Sequence, residues 1–186
     1  NKNSTLRTGR VCIKPHPRAP TPRRTPMPPP SADSAPGGEV PKNVLKAAAD
    51  GRVGTVRTWL NDGGKADTLF DDDCVDGGRP VPSTLLVLAA RKEHVQIVEL
   101  LLKRGADINL QVGGLTALSA AAYYGRVRMV DVLLRRGAEI DLQNKNGGTA
   151  LMLAAFFNHP AVVRRLLWTG ADTAVRSASG KTALQL

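Results

Sequence analysis

The stretch GADINLQVGGLTALSAAAYYG, residues 105–125, comes back as GAEIDLQNKNGGTALMLAAFFN from Gly137 and as GADTAVRSASGKTAL from Gly170. A phrase that returns at a fixed interval marks a repeat architecture, in which one short unit is copied along the chain. The interval can be measured. From Thr84 to Gly105, Thr116 to Gly137 and Thr149 to Gly170 the offset is 21 residues each time, and Lys42 to Gly63 gives 21 again in a worn first copy. The threonines are spaced by 32, 33 and 33 residues through Thr84, Thr116, Thr149 and Thr182, so one residue is lost in the loop after Gly105. Between Gly63 and Thr84 the loop instead carries about nine extra residues, in a stretch that includes DDDCVDGGRP.

Inside each unit the apolar spacing is helical twice over. Leu118, Ala121 and Ala122 form one i, i+3, i+4 stripe, and Val130, Leu133 and Leu134 form another. Thr116 and Thr149 stand where a hydroxyl caps the first helix, and Gly63, Gly105, Gly137 and Gly170 stand where a left-handed residue ends the second. Alanine pairs at 47/48, 89/90, 121/122 and 154/155 keep the first helix thin, so that neighbouring units stack closely. Aromatic residues make up only 4% of a chain that is 42% apolar, which fits a core of small side chains.

These units resemble ankyrin repeats, whose pattern T-P-L-H-x-A-A-x-x-G-H through L-L-x-x-G-A-D runs over residues 42–186. The resemblance implies an all-α solenoid of stacked helix-turn-helix units joined by hairpin fingers. The copies fall at about 42–70, 83–112, 115–145 and 148–178, with a truncated fifth at 181–186. The first copy, diluted by Thr55, Asn61 and Asp62, reads as an N-terminal cap. The proline after Thr is replaced by Leu85, Ala117, Ala150 and Ala183, and the histidine two further on by Val87, Ser119, Met152 and Gln185. Those departures are expected to weaken the hydrogen bonds between adjacent units. The turn glycine is kept as Gly51 and Gly125 but is Glu93 and Asn158 in the other copies, and at Glu93 a left-handed backbone should cost about 1 kcal/mol.

Residues 1–41 are different material. They hold ten of the thirteen prolines and about half of the formal net charge of +10, with almost no aliphatic content. Such a segment cannot bury enough surface to offset its ordering entropy, and it reads as a disordered Pro/Arg-rich tail. Arg23, Pro26 and Pro29 fit the RxxPxxP spacing of an SH3 ligand, although chance matches are common in any proline-rich linker. Thr21 and Thr25 precede prolines and are candidate phosphorylation sites. The opening Asn1 and the close at GKTALQL, midway through a first helix, are read as signs of a longer protein.

Catalysis needs converging groups, and none converge here. His94 and His159 occupy one equivalent repeat position, where the pattern itself puts histidine, while His16 lies in the tail. The run SASGKT at 177–182 imitates a phosphate loop, but the required glycine is Val175. Asp71, Asp72, Asp73 and Asp76 lack the calcium-loop ligand set, since position 5 is Val75 and position 12 Pro82, so a solvated acidic loop is expected. Cys12 and Cys74 make neither a disulfide framework nor a zinc spacing, and the longest apolar run, LLVLAA at 85–90, is far below a membrane span. No cofactor and no metal is implied, and a reducing compartment, cytoplasm or nucleus, is the default.

What remains is recognition. The resemblance leaves two variable positions at the end of each first helix facing a concave groove, and there stand Arg91 and Lys92, Tyr123 and Tyr124, Phe156 and Phe157. Four of the seven aromatics in two equivalent pairs suit a binding surface, unless one of each pair packs inward. Finger tips at Gln111, Gln143, Asn144, Lys145, Arg176 and Ser177 would add polar contacts at the rim. The second helices end in Lys103 and Arg104, Arg135 and Arg136, Arg164 and Arg165, cations that also suit a helix C-terminus. The expected function is a monomeric protein-binding module. The alternatives are a docking region of a larger enzyme and electrostatic attachment to nucleic acid or anionic surfaces through the basic tail.

Overall fold

The computed structural model describes residues 39–72 and 80–185. The tail expected over 1–41, with its Arg23, Pro26 and Pro29 motif, lies outside them except for its last three residues. Eight α-helices are found among the described residues. They come in pairs: α1 (Lys42–Ala49) with α2 (Val53–Asn61), α3 (Leu85–Arg91) with α4 (Val95–Lys103), α5 (Ala117–Tyr123) with α6 (Val127–Arg135), and α7 (Ala150–Phe156) with α8 (Pro160–Trp168). A 3-10 turn at Ala183–Gln185 begins the fifth unit. Each pair packs on itself, first helices pack on first helices all along the stack, and second helices pack on each other at α2–α4 and α6–α8.

The helix boundaries follow the residues that cap them. Thr84 and Thr149 each accept a hydrogen bond from the backbone three residues on, at 3.3 Å in both cases. Thr116 does so from Ser119 N at 3.1 Å, and the Ser119 hydroxyl accepts from Thr116 N in return at 2.7 Å, closing a capping box. The first unit has no such hydroxyl, and α1 begins after Pro41 without a side-chain cap. At the turn between paired helices Glu93 has φ 63° and Asn158 φ 56°, the conformation that Gly51 and Gly125 adopt at the same position. The unit therefore imposes a left-handed residue there whatever its side chain.

The alanine pairs do what thinness requires. Ala48, Ala89, Ala90, Ala121, Ala122 and Ala154 have no exposed surface, and the first helices pack on one another more extensively than the second helices do. The first-helix side is the inner face that the repeat resemblance implies. Behind it Val56, Ile97, Val98, Leu101, Met129, Val130, Leu133, Val162 and Leu166 are fully buried, each contributing about 1.5–3 kcal/mol of transfer free energy. The stacking logic shows in the last unit. Val56, Val98 and Val130 are completely covered by the unit that follows, whereas the equivalent Val163 is half-buried, as is Ala155 where Ala48, Ala90 and Ala122 are not.

Fingers join the units. The inserted segment after α2 forms a two-stranded antiparallel hairpin, β1 (Leu69–Asp72) with β2 (Val81–Thr84), its tip at 73–79 outside the described residues. The next finger turns through Gly113 and Gly114 between Val112 and Leu115, a two-residue tip. The later two close between Asn144 and Gly148 and between Ser177 and Lys181, three-residue tips. The residue missing from the 32-residue step is therefore a finger-tip residue.

Hydrogen bonds between units persist despite the altered repeat pattern. His94 Nε2 donates to Ala49 O at 2.8 Å and His159 Nε2 to Tyr123 O at 2.8 Å. At the equivalent place in the third unit Arg126 Nε donates to Arg91 O at 3.1 Å. A second set runs along the finger bases, where Asp67 and Asp141 accept from the backbone N of Asp107 and Asp172, and Asn109 from Glu139 N. A third lies on the back, with Arg104 on Asn61, Arg136 on Glu99 at 2.8 Å, and Arg165 paired with Asp131. In most of these links the acceptor belongs to the earlier unit and the donor to the later one; Asn109 Nδ2, which donates to Glu139 Oε1 at 3.2 Å, runs the other way. These links between units are made by side chains other than those at the altered positions.

Candidate functional site

The ends of α3, α5 and α7 come together on the first-helix side of the stack. Tyr123 and Phe156 are the last residues of their helices and Tyr124 and Phe157 the capping residues that follow, so the chain's turn toward the second helix fans each pair outward. The rings form one continuous run. Tyr124 lies 4.7 Å from Tyr123, Tyr123 4.0 Å from Phe157 across the unit boundary, and Phe157 5.0 Å from Phe156, centroid to centroid. The planes are tilted or edge-on, the arrangement ring quadrupoles favour. None of the four is buried: the tyrosines are half-buried, and Phe156 and Phe157 are 63% and 36% exposed. Apolar rings held open to water in mutual contact form a patch that stacking alone does not explain.

Arg91 departs from expectation. Its side chain is buried, with Nη2 2.9 Å from Asp72 Oδ2, and its guanidinium sits 5.9 Å from the Tyr124 ring centroid. The reason lies in the inserted hairpin. Alternation along β1 turns Asp72 inward while Asp71 faces out, and the buried carboxylate draws in the nearest cation. Asp71 and Asp72 accordingly belong to a strand and not to a solvated loop, while Asp73, Cys74 and Asp76 lie outside the described residues. Arg91 thus supports Tyr124 from below, and its partner Lys92 is the residue of this pair that faces solvent.

The finger residues are partly committed to the stack. Gln111 Nε2 donates to Gln143 O at 2.6 Å and Gln143 Nε2 to Arg176 O at 2.9 Å, a rung that runs, like Asn109 Nδ2 to Glu139 Oε1, opposite to the links at the helix ends and on the back. Asn144 Oδ1 accepts from Asn146 N and Gly148 N and so shapes its own finger. Arg176 donates to Gly180 O at 2.8 Å, and the Ser177 hydroxyl meets that of Ser179. Lys145 is exposed with no ion pair among the described residues. The basic back is divided likewise: Arg136 and Arg165 are paired with Glu99 and Asp131, and Arg104 with Asn61.

Sequence reasoning passed over two participants. Asp72 was masked by its place in an acidic run, and only the period-two alternation of the strand singles it out. Lys46 stands one helical turn before the variable pair, at the position of Leu88, Ala120 and Leu153, and repeat arithmetic alone could have placed it on the inner face. Beside the rings, a recess of about 30 Å³ is lined by Pro82, Val87, Arg91, Leu115, Ala120 and Tyr124, room for little more than a methyl group. Among the described residues no group of His, Cys, Asp and Glu is placed to hold a metal ion, and no helix is long and apolar enough to cross a membrane.

A family model described as Ankyrin repeats (3 copies) matches residues 44–144 and again residues 132–186. None of the curated proteins compared with the chain matches it.

Proposed function

Since the chain belongs to the ankyrin repeat family, whose repeats are in general protein–protein interaction modules, we propose that it binds a protein partner on the inner face of the stack, with the four rings as the grip. The observation that carries this reading is the unbroken, partly exposed run Tyr124–Tyr123–Phe157–Phe156. Aromatic side chains give up little rotamer entropy for a large contact area, and truncating a central one in an interface costs about 2 kcal/mol or more. Lys92, Lys145 and Arg176 would supply the polar rim, while Arg91 contributes by holding Tyr124. Gln111, Gln143 and Asn144 act mainly on finger shape.

The test is the double substitution Tyr124→Ala with Phe157→Ala in the full chain, used to capture proteins from a cell extract beside the unchanged chain. Most captured proteins should be lost, while the unfolding midpoint in urea moves little because neither ring is buried. Identical captures from the two chains would defeat the assignment of this surface.

A further inference from the structure

Read across units, the inner face changes character in one direction. The variable pair is Ala49 and Asp50 in the first unit, Arg91 and Lys92 in the second, Tyr123 and Tyr124 in the third, and Phe156 and Phe157 in the fourth, with Lys46 one helical turn before the first pair. The charges do not cancel. Asp72 is paired with Arg91 at 2.9 Å and Asp50 with Arg52 at 3.4 Å, so two of the acids on this side are already neutralised by the protein's own cations. Glu93 lines a separate recess with Gly51, His94 and Arg128, and Asp71 points out from the hairpin. Lys46 and Lys92 are exposed and have no carboxylate within ion-pair distance among the described residues. One half of the face is left cationic and the other half aromatic.

Resting on the reading of this face as a binding surface, we infer that its partner is a short protein segment of mixed acidic and apolar character. The segment's carboxylates lie at Lys46 and Lys92, its apolar side chains lie on the Tyr123–Phe157 rings, and it fits in one direction only. Charge complementarity sets that direction, because the reversed segment would put carboxylates on rings and leave two lysines uncompensated. Packed helices stand about 8–10 Å apart, so Lys92 and the rings are separated by about one to two such steps. An extended chain advances about 3.3 Å per residue, which places the acid about three to six residues from the apolar anchor. Single-stranded nucleic acid fits less well. Bases stack on open ring faces, and these rings already touch one another at 4.0–5.0 Å with tilted planes.

The experiment selects a phage-displayed library of random peptides, about twelve residues long to cover that span, on the full chain. The expected winners carry Asp or Glu about three to six residues from Leu, Phe or Trp, the separation set by the extended-chain rise. As synthetic peptides they should bind Lys46→Glu/Lys92→Glu at least about fivefold more weakly, and lysine-for-acid versions of the same peptides should recover the loss. The single change Lys92→Gln serves as a milder variant, with circular dichroism melting to show that each chain is folded. Winners without acidic residues, affinities indifferent to charge reversal, the absence of any enrichment, or displacement of the peptides by oligothymidylate would each overturn the inference. Peptides that bind Tyr124→Ala/Phe157→Ala as well as the unchanged chain would instead remove the binding surface itself, a separable failure.

Discussion

At the scale of single residues the backbone is stricter than the side chains that occupy it. Glu93 holds φ 63° where other units use glycine. Replacing it by glycine should stabilise the chain by about 1 kcal/mol, the left-handed penalty less the added freedom of the unfolded state, read as a rise in the urea midpoint. Gly125 is the converse. Its φ is 69°, and a Cβ there would lie 2.7 Å from the His159 ring, so Gly125→Ala combines strain with a lost contact and should destabilise by about 2 kcal/mol. Thr149 is wholly buried and caps α7, and Thr149→Ala should cost about 1 kcal/mol in the same measurement. All three positions were legible from repeat spacing, because cap and turn requirements depend on local geometry. The inward turn of Arg91 was not legible. It depends on a strand partner some twenty residues back in the chain, and no spacing rule reports which cation a buried carboxylate will capture.

At the scale of elements, the inserted hairpin is the unit's departure from its copies and carries a buried ion pair to α3. Asp72 and Arg91 are both buried, and removing one partner strands the other charge. Asp72→Asn should therefore destabilise by about 3 kcal/mol, with Asp72→Leu/Arg91→Met recovering much of the loss, as measured by thermal unfolding of the three chains. If Arg91 holds Tyr124 in place, the double substitution should keep the fold and still weaken partner capture. Helix pairing and the short finger tip at Gly113–Gly114 could be derived from periods and counts. The links between units could not, since His94, Arg126 and His159 perform one task with different chemistry, and a pattern of identical letters does not register equivalent hydrogen bonds.

At the scale of the whole stack, each unit is stabilised by the one that follows it. Val163 and Ala155 remain half-buried where their counterparts are covered, because among the described residues only the short turn at Ala183–Gln185 packs on the far side of the fourth unit. Amide hydrogens in α7 and α8 should exchange faster than those in α5 and α6, by a margin of about 1–2 kcal/mol in opening free energy, as read by hydrogen-exchange mass spectrometry. The direction of the links adds something that no single unit contains. Along the helix ends and the back, oxygens that receive are set in earlier units and the groups that give lie in later ones, while the finger links run both ways. During synthesis on a ribosome the first units emerge with their receiving oxygens already positioned, so every newly extruded segment meets a finished template and the solenoid can grow in the order in which it is translated.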